Sequence, residues 1–167
     1  MKIIFARLLT FFLSTTIRLQ QKHIIIFLLI VLWAIVQSIA SKHFDMRISV
    51  DSDLYISGAE KIADGTWPTG REFLYSSYML ILAVLHISNL DPQGVIYLHF
   101  LVAIVAIICT YQLAKLITEN NVLALAAPIL YILWFKFAQW NLIVYTDALF
   151  SHMVIISIYA LMNSGSR

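Results

Sequence analysis

The sequence predicts an all-α, polytopic integral membrane protein with about four transmembrane helices, an interfacial helix and a short outer-leaflet helix. Two of the supporting observations are compositional: hydrophobic residues make up 61% of the 167 residues, whereas charged residues make up 12%. A soluble domain carries about 25% charged residues. The third observation is a set of long uncharged runs, the first of which extends from Ile24 to Ala40. Such runs reach the lower limit of about 17 residues for a transmembrane helix.

The same composition excludes several classes of protein. The formal charge of +2 and the lack of a basic stripe argue against a nucleic-acid partner. Cys109 is the single cysteine and lies in an apolar run, so neither a disulfide nor a zinc cluster can form within the chain. The five histidines are scattered without metal-ligand spacing. The predicted surroundings are the lipid bilayer, with no structural metal site.

Residues 1–22 form a basic lead, which we predict to be an interfacial helix or a loose cytoplasmic segment. The first span follows at about 23–41. A cleaved signal peptide is a weaker alternative, because the apolar run is longer than a usual signal core. The positive-inside rule places the N-terminus in the cytoplasm. The lead carries four basic residues: Lys2, Arg7, Arg18 and Lys22.

The topology after the first span depends on the apolar segment 73–88. As a helix this segment would be about 24 Å long, against a hydrocarbon core of about 30 Å. Further spans are predicted at about 95–114, 122–138 and 148–162. If 73–88 only enters the outer leaflet, Asp51 and Asp147 share the outer face; if it crosses, they lie on opposite faces. The first arrangement places Lys115 and Arg167 on the side of the basic lead, and the charge rule favours it.

The most polar stretch is 50–67, within a predicted extracytoplasmic loop, 42–94, of a single membrane domain, 1–167. It holds four of the nine acidic residues, and carboxylates beside a bilayer are costly unless they are solvated, paired or used. We predict a surface helix at 53–65, capped by Asp51 or Ser52 and ended by Gly65. Its inner face would consist of Tyr55, Gly58, Ala59 and Ile62.

The run Asp51-Ser52-Asp53-Leu54-Tyr55, followed by Gly65 and Trp67, comes after one span and before an aromatic-rich short helix. This order resembles the N-terminal part of the GT-C superfamily of polyprenyl-phosphate-dependent glycosyltransferases, particularly the lipid A aminoarabinose transferases and the protein O-mannosyltransferases. Tyr145-Thr146-Asp147 looks like the second acidic position of that family, at an outer turn. The resemblance covers most of the chain.

The resemblance implies transfer of a sugar from a polyprenyl-phosphate donor to a lipid, glycan or protein acceptor, at the outer face of a bacterial inner membrane. Asp51 would be the catalytic general base, and Asp147 would bind the acceptor or a divalent cation. The other implied substrate-binding residues are Tyr55, Arg71, Tyr75 and Tyr78. Relatives often carry a proline or a basic residue in the short helix and an arginine at the start of the next span. The basic groups are expected to hold the donor's phosphate. This chain lacks them at those positions, and Arg71 is the residue that would take their place. They also continue with further spans, so the chain looks like the front portion of such an enzyme.

Other interpretations stay open at this point. Asp51 and Asp147 can each act as a helix cap. The chain can be a non-catalytic subunit or scaffold. It can also be a small transporter coupled through Asp147, which should show broken helices, paired polar residues at mid-membrane and a repeat. His99 and His152, which lie inside spans, are expected to bond neighbouring polar groups.

Overall fold

The computed structural model describes the backbone of residues 2–165 and the side chains of residues 21–165. The predicted all-α class is confirmed. The helices are α1 (Lys2–His43), α2 (Val50–Ala63), α3 (Ser76–Ile87), α4 (Val95–Thr118), α5 (Asn121–Leu133), α6 (Phe135–Trp140) and α7 (Thr146–Ser164), with 3-10 turns at Gly70–Tyr75 and Pro92–Gly94. The charge-based orientation also used the side chains of Lys2, Arg7 and Arg18 and the residue Arg167, which lie outside the described residues.

Within the described part of the chain, three helical segments are long and apolar enough to cross a membrane: Gln21–His43, Pro92–Thr118 and Thr146–Ser164. Large apolar side chains such as Phe27, Leu101 and Leu161 are more than half exposed on these segments. Such helices suit a lipid environment, because their apolar side chains face outwards and their backbone N–H and C=O groups are hydrogen-bonded within the helix. The chain is a polytopic membrane protein.

The basic lead is not a separate element. The backbone of α1 is one helix from Lys2 to His43, so the lead continues without a break into the apolar segment Gln21–His43, which agrees with the predicted first span. The reason is visible in the sequence, because no glycine or proline interrupts this stretch.

The predicted span 122–138 is broken in two. α5 has 13 residues, which is about 20 Å of helix and shorter than the hydrocarbon core. It ends at Trp134, whose ψ of 89° lies outside the helical range. α6 then packs against α1, where the Gln37 Nε2 donates to the Ala138 carbonyl over 3.1 Å. This hydrogen bond holds α6 against α1, a position that α6 would not reach if α5 continued as one straight helix.

The surface helix begins earlier than the sequence predicts. α2 starts at Val50 with Ser49 as its N-cap, so the prediction that Asp51 or Ser52 caps this helix is wrong. At the other end, Gly65 adopts a φ of +81°, a conformation that favours glycine, and the Thr66 N–H donates to the Lys61 carbonyl over 2.8 Å. The predicted glycine stop is confirmed.

α2 and α3 pack closely through a glycine. Tyr55, Gly58 and Ala59 are buried, as predicted for the inner face of α2, whereas Ile62 is half-buried. A Cβ at position 58 would lie 2.4 Å from the Met79 Sδ. Met79 is fully buried, so its side chain has little free space into which to move.

We expect Gly58→Leu to lower the free energy of unfolding by about 1–3 kcal/mol, because the new side chain overpacks the α2–α3 contact. Chemical unfolding of the full chain in detergent micelles measures the change. Glu60→Leu, on the exposed face of the same helix, is the control and should stay within about 0.5 kcal/mol. Met79→Ala should partly rescue Gly58→Leu; strictly additive losses in the double variant would contradict the contact.

The bundle has two distinct ends. At one end the segment after α1 pairs with the segment before α7 through an isolated bridge between Arg47 and Ile143. At the other end Lys22 and Lys115 line one cavity. The helical segment Gln21–His43 runs from one end of the bundle to the other and is about 35 Å long.

Candidate functional site

The candidate site lies where α2 and α7 begin side by side. The Arg47 N–H donates to the Leu142 carbonyl over 3.1 Å, and the Arg47 carbonyl accepts from the Val144 N–H over 3.2 Å. Ser52 adds a third link, because its Oγ donates to the Val144 carbonyl over 2.6 Å. The same Oγ accepts from the Ser49 N–H over 2.8 Å, which stabilises the start of α2. These bonds fix the starts of α2 and α7 against one another.

Asp51 and Asp147 each occupy the second position of their helix. The N-caps are Ser49 and Tyr145, so the alternative in which either aspartate is the cap is wrong. A carboxylate in the first turn still stabilises a helix by about 0.3–1 kcal/mol. Among the described residues, neither carboxylate accepts a hydrogen bond or joins an ion pair. Asp51 is exposed and Asp147 is half-buried, so both are available to a ligand.

Tyr145 lies within the electrostatic range of both carboxylates. The negative charge of Asp147 raises the pKa of Tyr145 most, burial raises this pKa further, and the charge of Asp51 adds to both. Asp51 and Asp147 are 96 positions apart in the sequence, and the hydrogen bonds from Arg47 and Ser52 to the segment 142–144 bring the starts of their helices together.

A cluster of four tyrosine rings packs next to the starts of α2 and α7. The Tyr55 ring centroid lies 5.2 Å from that of Tyr75, 5.4 Å from that of Tyr78 and 6.1 Å from that of Tyr145. The Tyr55 hydroxyl lies 3.5 Å from the Thr146 Oγ1. Burial raises the pKa of Tyr55, and the hydrogen bond with Thr146 partly offsets this rise. The cluster joins α2, α3 and α7, and such ring pairs contribute about 0.5–1.5 kcal/mol each beyond their burial.

A cavity of about 620 Å³ opens between α3 and the first turns of α7. Asp147 and Thr146 provide its polar end, and Tyr75 and Tyr78 line the wall on the α3 side. Its remaining lining residues are mostly apolar: Leu74, Ser77, Ile81, Leu149, Phe150 and Met153. Ligand pockets are usually about 300–1,000 Å³, mainly apolar, with a few polar groups. The cavity has the size and lining of a site for an apolar chain with a polar head.

The structure brings four of the six predicted site residues to this cavity or the ring cluster behind it: Tyr55, Tyr75, Tyr78 and Asp147. Asp51 does not line the cavity; it lies in the first turn of α2, whose Ser52 bonds the Val144 carbonyl just before α7. Arg71 does not join the group: it is exposed in the first 3-10 turn and forms no ion pair or hydrogen bond with the described residues. The neighbouring Glu72 instead pairs with Lys61, with both carboxylate oxygens 2.9 Å from the Lys61 Nζ.

The site offers two carboxylates to a cation. Among residues 21–165, no three histidine, cysteine, aspartate or glutamate side chains come close enough to hold a metal ion together. Mg²⁺ commonly takes one or two carboxylates from the protein and completes its shell with water and substrate phosphates. Asp51 and Asp147 fit that donor set only when a substrate supplies further oxygens.

A buried polar network lies deeper in the bundle, and the sequence patterns did not predict its connections. The Asn141 Oδ1 accepts from the His152 Nε2 over 2.8 Å, and the Asn141 Nδ2 donates to the Gln37 Oε1 over 3.3 Å. The Tyr131 hydroxyl donates to the His152 Nδ1. The network links α1, α5 and α7 through the turn after α6. The sequence feature that could have indicated this network is Gln37, a polar residue inside the first predicted span.

His99 is less completely satisfied. Its Nε2 lies 3.3 Å from the Tyr78 hydroxyl, as expected for a histidine that bonds a polar neighbour. Its Nδ1 is the one fully buried side-chain nitrogen or oxygen without a hydrogen bond in the described part of the chain. An unpaired polar atom in an apolar interior costs about 1–3 kcal/mol. His99 therefore connects the tyrosine cluster to the core.

Searches against protein families, curated proteins and solved structures find no match to this chain.

Proposed function

We propose that the chain is a GT-C-like module that handles a polyprenyl-phosphate sugar at one face of a bacterial inner membrane, with its N-terminus in the cytoplasm. The observation that carries the proposal is a tyrosine-lined apolar cavity with Asp147 at its polar end, next to the start of the helix that holds Asp51. The cavity suits the isoprenoid chain, and the acids suit the sugar and its acceptor. The resemblance in the order of motifs supports the same class of substrate.

In the proposed reaction, the acceptor hydroxyl gives its proton to the Asp51 carboxylate as the acceptor oxygen bonds to the anomeric carbon. The bond between that carbon and the phosphate oxygen breaks, and polyprenyl phosphate leaves with the electron pair. Asp147 positions the acceptor. A divalent cation held by Asp147 would supply positive charge for the leaving phosphate.

Filling the cavity tests donor binding. We expect Ser77→Trp to lower photo-crosslinking of a polyprenyl-phosphate sugar at least tenfold, because Ser77 lines the cavity and an indole would occupy its volume. The measurement uses a photoreactive donor with the full chain in lipid nanodiscs. Val84→Trp is the matched control, since Val84 is exposed on the same helix away from the cavity. Equal labelling of both variants would contradict this use of the cavity.

A small transporter is the second candidate, and two observations favour it. α5 and α6 are a helix broken at Trp134, and Asn141 and His152 form a buried polar pair near the break. Broken helices with paired polar groups are typical of transporter sites. Proton uptake into liposomes that disappears in His152→Gln and persists in Asp51→Asn would favour this function over sugar transfer.

Donor binding without transfer would instead support the third interpretation, a non-catalytic subunit or scaffold. In that case Ser77→Trp would still block photo-crosslinking, whereas no acceptor would be modified by the wild-type chain.

A further inference from the structure

A second cavity, of about 350 Å³, lies at the opposite end of the bundle from Asp51 and Asp147. It is bounded by the beginning of the first span, the end of α4 and the beginning of α5. Its polar lining consists of Gln21, Lys22, Tyr111, Lys115, Glu119 and Asn121. The cavity is therefore a polar space between helices, at the level where the apolar spans begin and end.

The cations of this cavity have no partner within the described chain. Lys22 comes from α1 and Lys115 from α4, and both side chains are half-buried. Glu119 lines the same space but forms no ion pair with either lysine, since Lys61 and Glu72 form the one ion pair among the described residues. The two half-buried lysines and one glutamate leave a net positive charge in the cavity.

Tyr111 brings a hydroxyl group to the same space. Its ring is buried and lines the cavity, and its hydroxyl forms no hydrogen bond with any described residue. Since His99 Nδ1 is the one fully buried polar side-chain atom without a partner in the described part of the chain, the Tyr111 hydroxyl is open to the cavity. The amide groups of Gln21 and Asn121 add further donors at the rim.

We propose that this cavity binds a phosphate group, with Lys22 and Lys115 as its counter-charges and Tyr111 as a hydrogen-bond donor. Ammonium groups bind phosphate as point charges, and a hydroxyl donor fixes its position. Basic pockets between helices at a membrane face are suited to anionic lipid headgroups. A free inorganic phosphate has the same chemistry. The proposal does not depend on sugar transfer by the distant acids.

The test uses the full chain in detergent, with native mass spectrometry to measure retention of phosphatidylglycerol and of phosphatidylcholine. Wild-type chain should retain phosphatidylglycerol preferentially. Each lysine near an anionic lipid is expected to contribute about fivefold in affinity, so K22Q/K115Q should weaken phosphatidylglycerol binding about 30-fold. K42Q, at the opposite end of the same helix, is the control and should bind as the wild type does.

Two further variants separate binding from folding. E119Q should tighten phosphatidylglycerol binding, because it removes a negative charge from the cavity; a folding defect would weaken binding instead. Y111F should weaken it severalfold through the lost hydrogen bond.

Inorganic phosphate in excess distinguishes the two sources. Displacement of the lipid by phosphate, lost in K22Q/K115Q, supports a free phosphate as the occupant, whereas lipid retention in its presence supports a headgroup. Unchanged phosphatidylglycerol binding in K22Q/K115Q, or an equal loss in K42Q, would overturn the proposal.

Discussion

Asp51→Asn is expected to lower sugar transfer from a polyprenyl-phosphate donor by about 10²–10⁴-fold, the usual contribution of a general base. The amide is nearly isosteric with the carboxylate but cannot accept the acceptor's proton at neutral pH. Asp51 is exposed and has no hydrogen-bond partner among the described residues, so the substitution removes no contact of the fold. The measurement follows loss of labelled sugar from the donor in membranes that contain the full chain.

The matched control is Asp53→Asn, which changes an exposed carboxylate in the first turn of the same helix. It removes a similar interaction with the helix dipole, worth about 0.3–1 kcal/mol, but no catalytic group. Donor photo-crosslinking should be unchanged in both variants. Turnover at the wild-type rate in Asp51→Asn, or an equal loss in Asp53→Asn, would rule out Asp51 as the base.

Asn141→Leu is expected to lower the free energy of unfolding by about 2–4 kcal/mol. The substitution keeps a side chain of similar size but leaves the His152 Nε2 and the Gln37 Oε1 buried without their partner. Each buried polar atom that loses its hydrogen bond costs about 1–3 kcal/mol. Chemical unfolding of the full chain in detergent, followed by tryptophan fluorescence, gives the difference.

Gln139→Leu provides the comparison for this core substitution. Gln139 accepts an exposed hydrogen bond from the Lys136 Nζ over 3.3 Å, so its loss should cost less than about 0.5 kcal/mol. A double substitution of Asn141 and His152 by leucine should recover part of the stability, because it removes an orphaned group together with its partner. Similar losses in Asn141→Leu and Gln139→Leu would show that the network contributes little.

The successful predictions for the fold came from patterns that are local in sequence. The long uncharged runs predicted α1, α4 and α7, since a segment of that length and hydropathy has few alternatives to a membrane span. Gly65 predicted the stop of α2, because its left-handed φ is a property of one residue. The cap of α2 was missed: Ser52 is occupied by the Val144 carbonyl and the Ser49 N–H, and neither bond can be read from the order of residues.

Sequence order selected Asp51 and Asp147 as candidate acids, but only packing could bring them together. The bridge between Arg47 and Ile143 that aligns their helices joins segments almost a hundred residues apart. The absence of Arg71 from the candidate site also depends on the three-dimensional structure. Arg71 follows Gly70 and is exposed to solvent, whereas the family resemblance had suggested it as a substitute for the basic groups that hold the donor phosphate.

By itself, the sequence determined that this chain is a helical membrane protein with a polar segment after its first span. Hydrophobic length and composition decide this, because lipid cannot hydrogen-bond an exposed backbone. The tertiary structure alone decided that the helices of Asp51 and Asp147 begin side by side, that Asp147 faces a tyrosine-lined cavity and that Trp134 breaks the predicted third span. It also joined Gln37, Asn141 and His152 in the core. These features depend on contacts between distant segments, whose geometry no local pattern encodes.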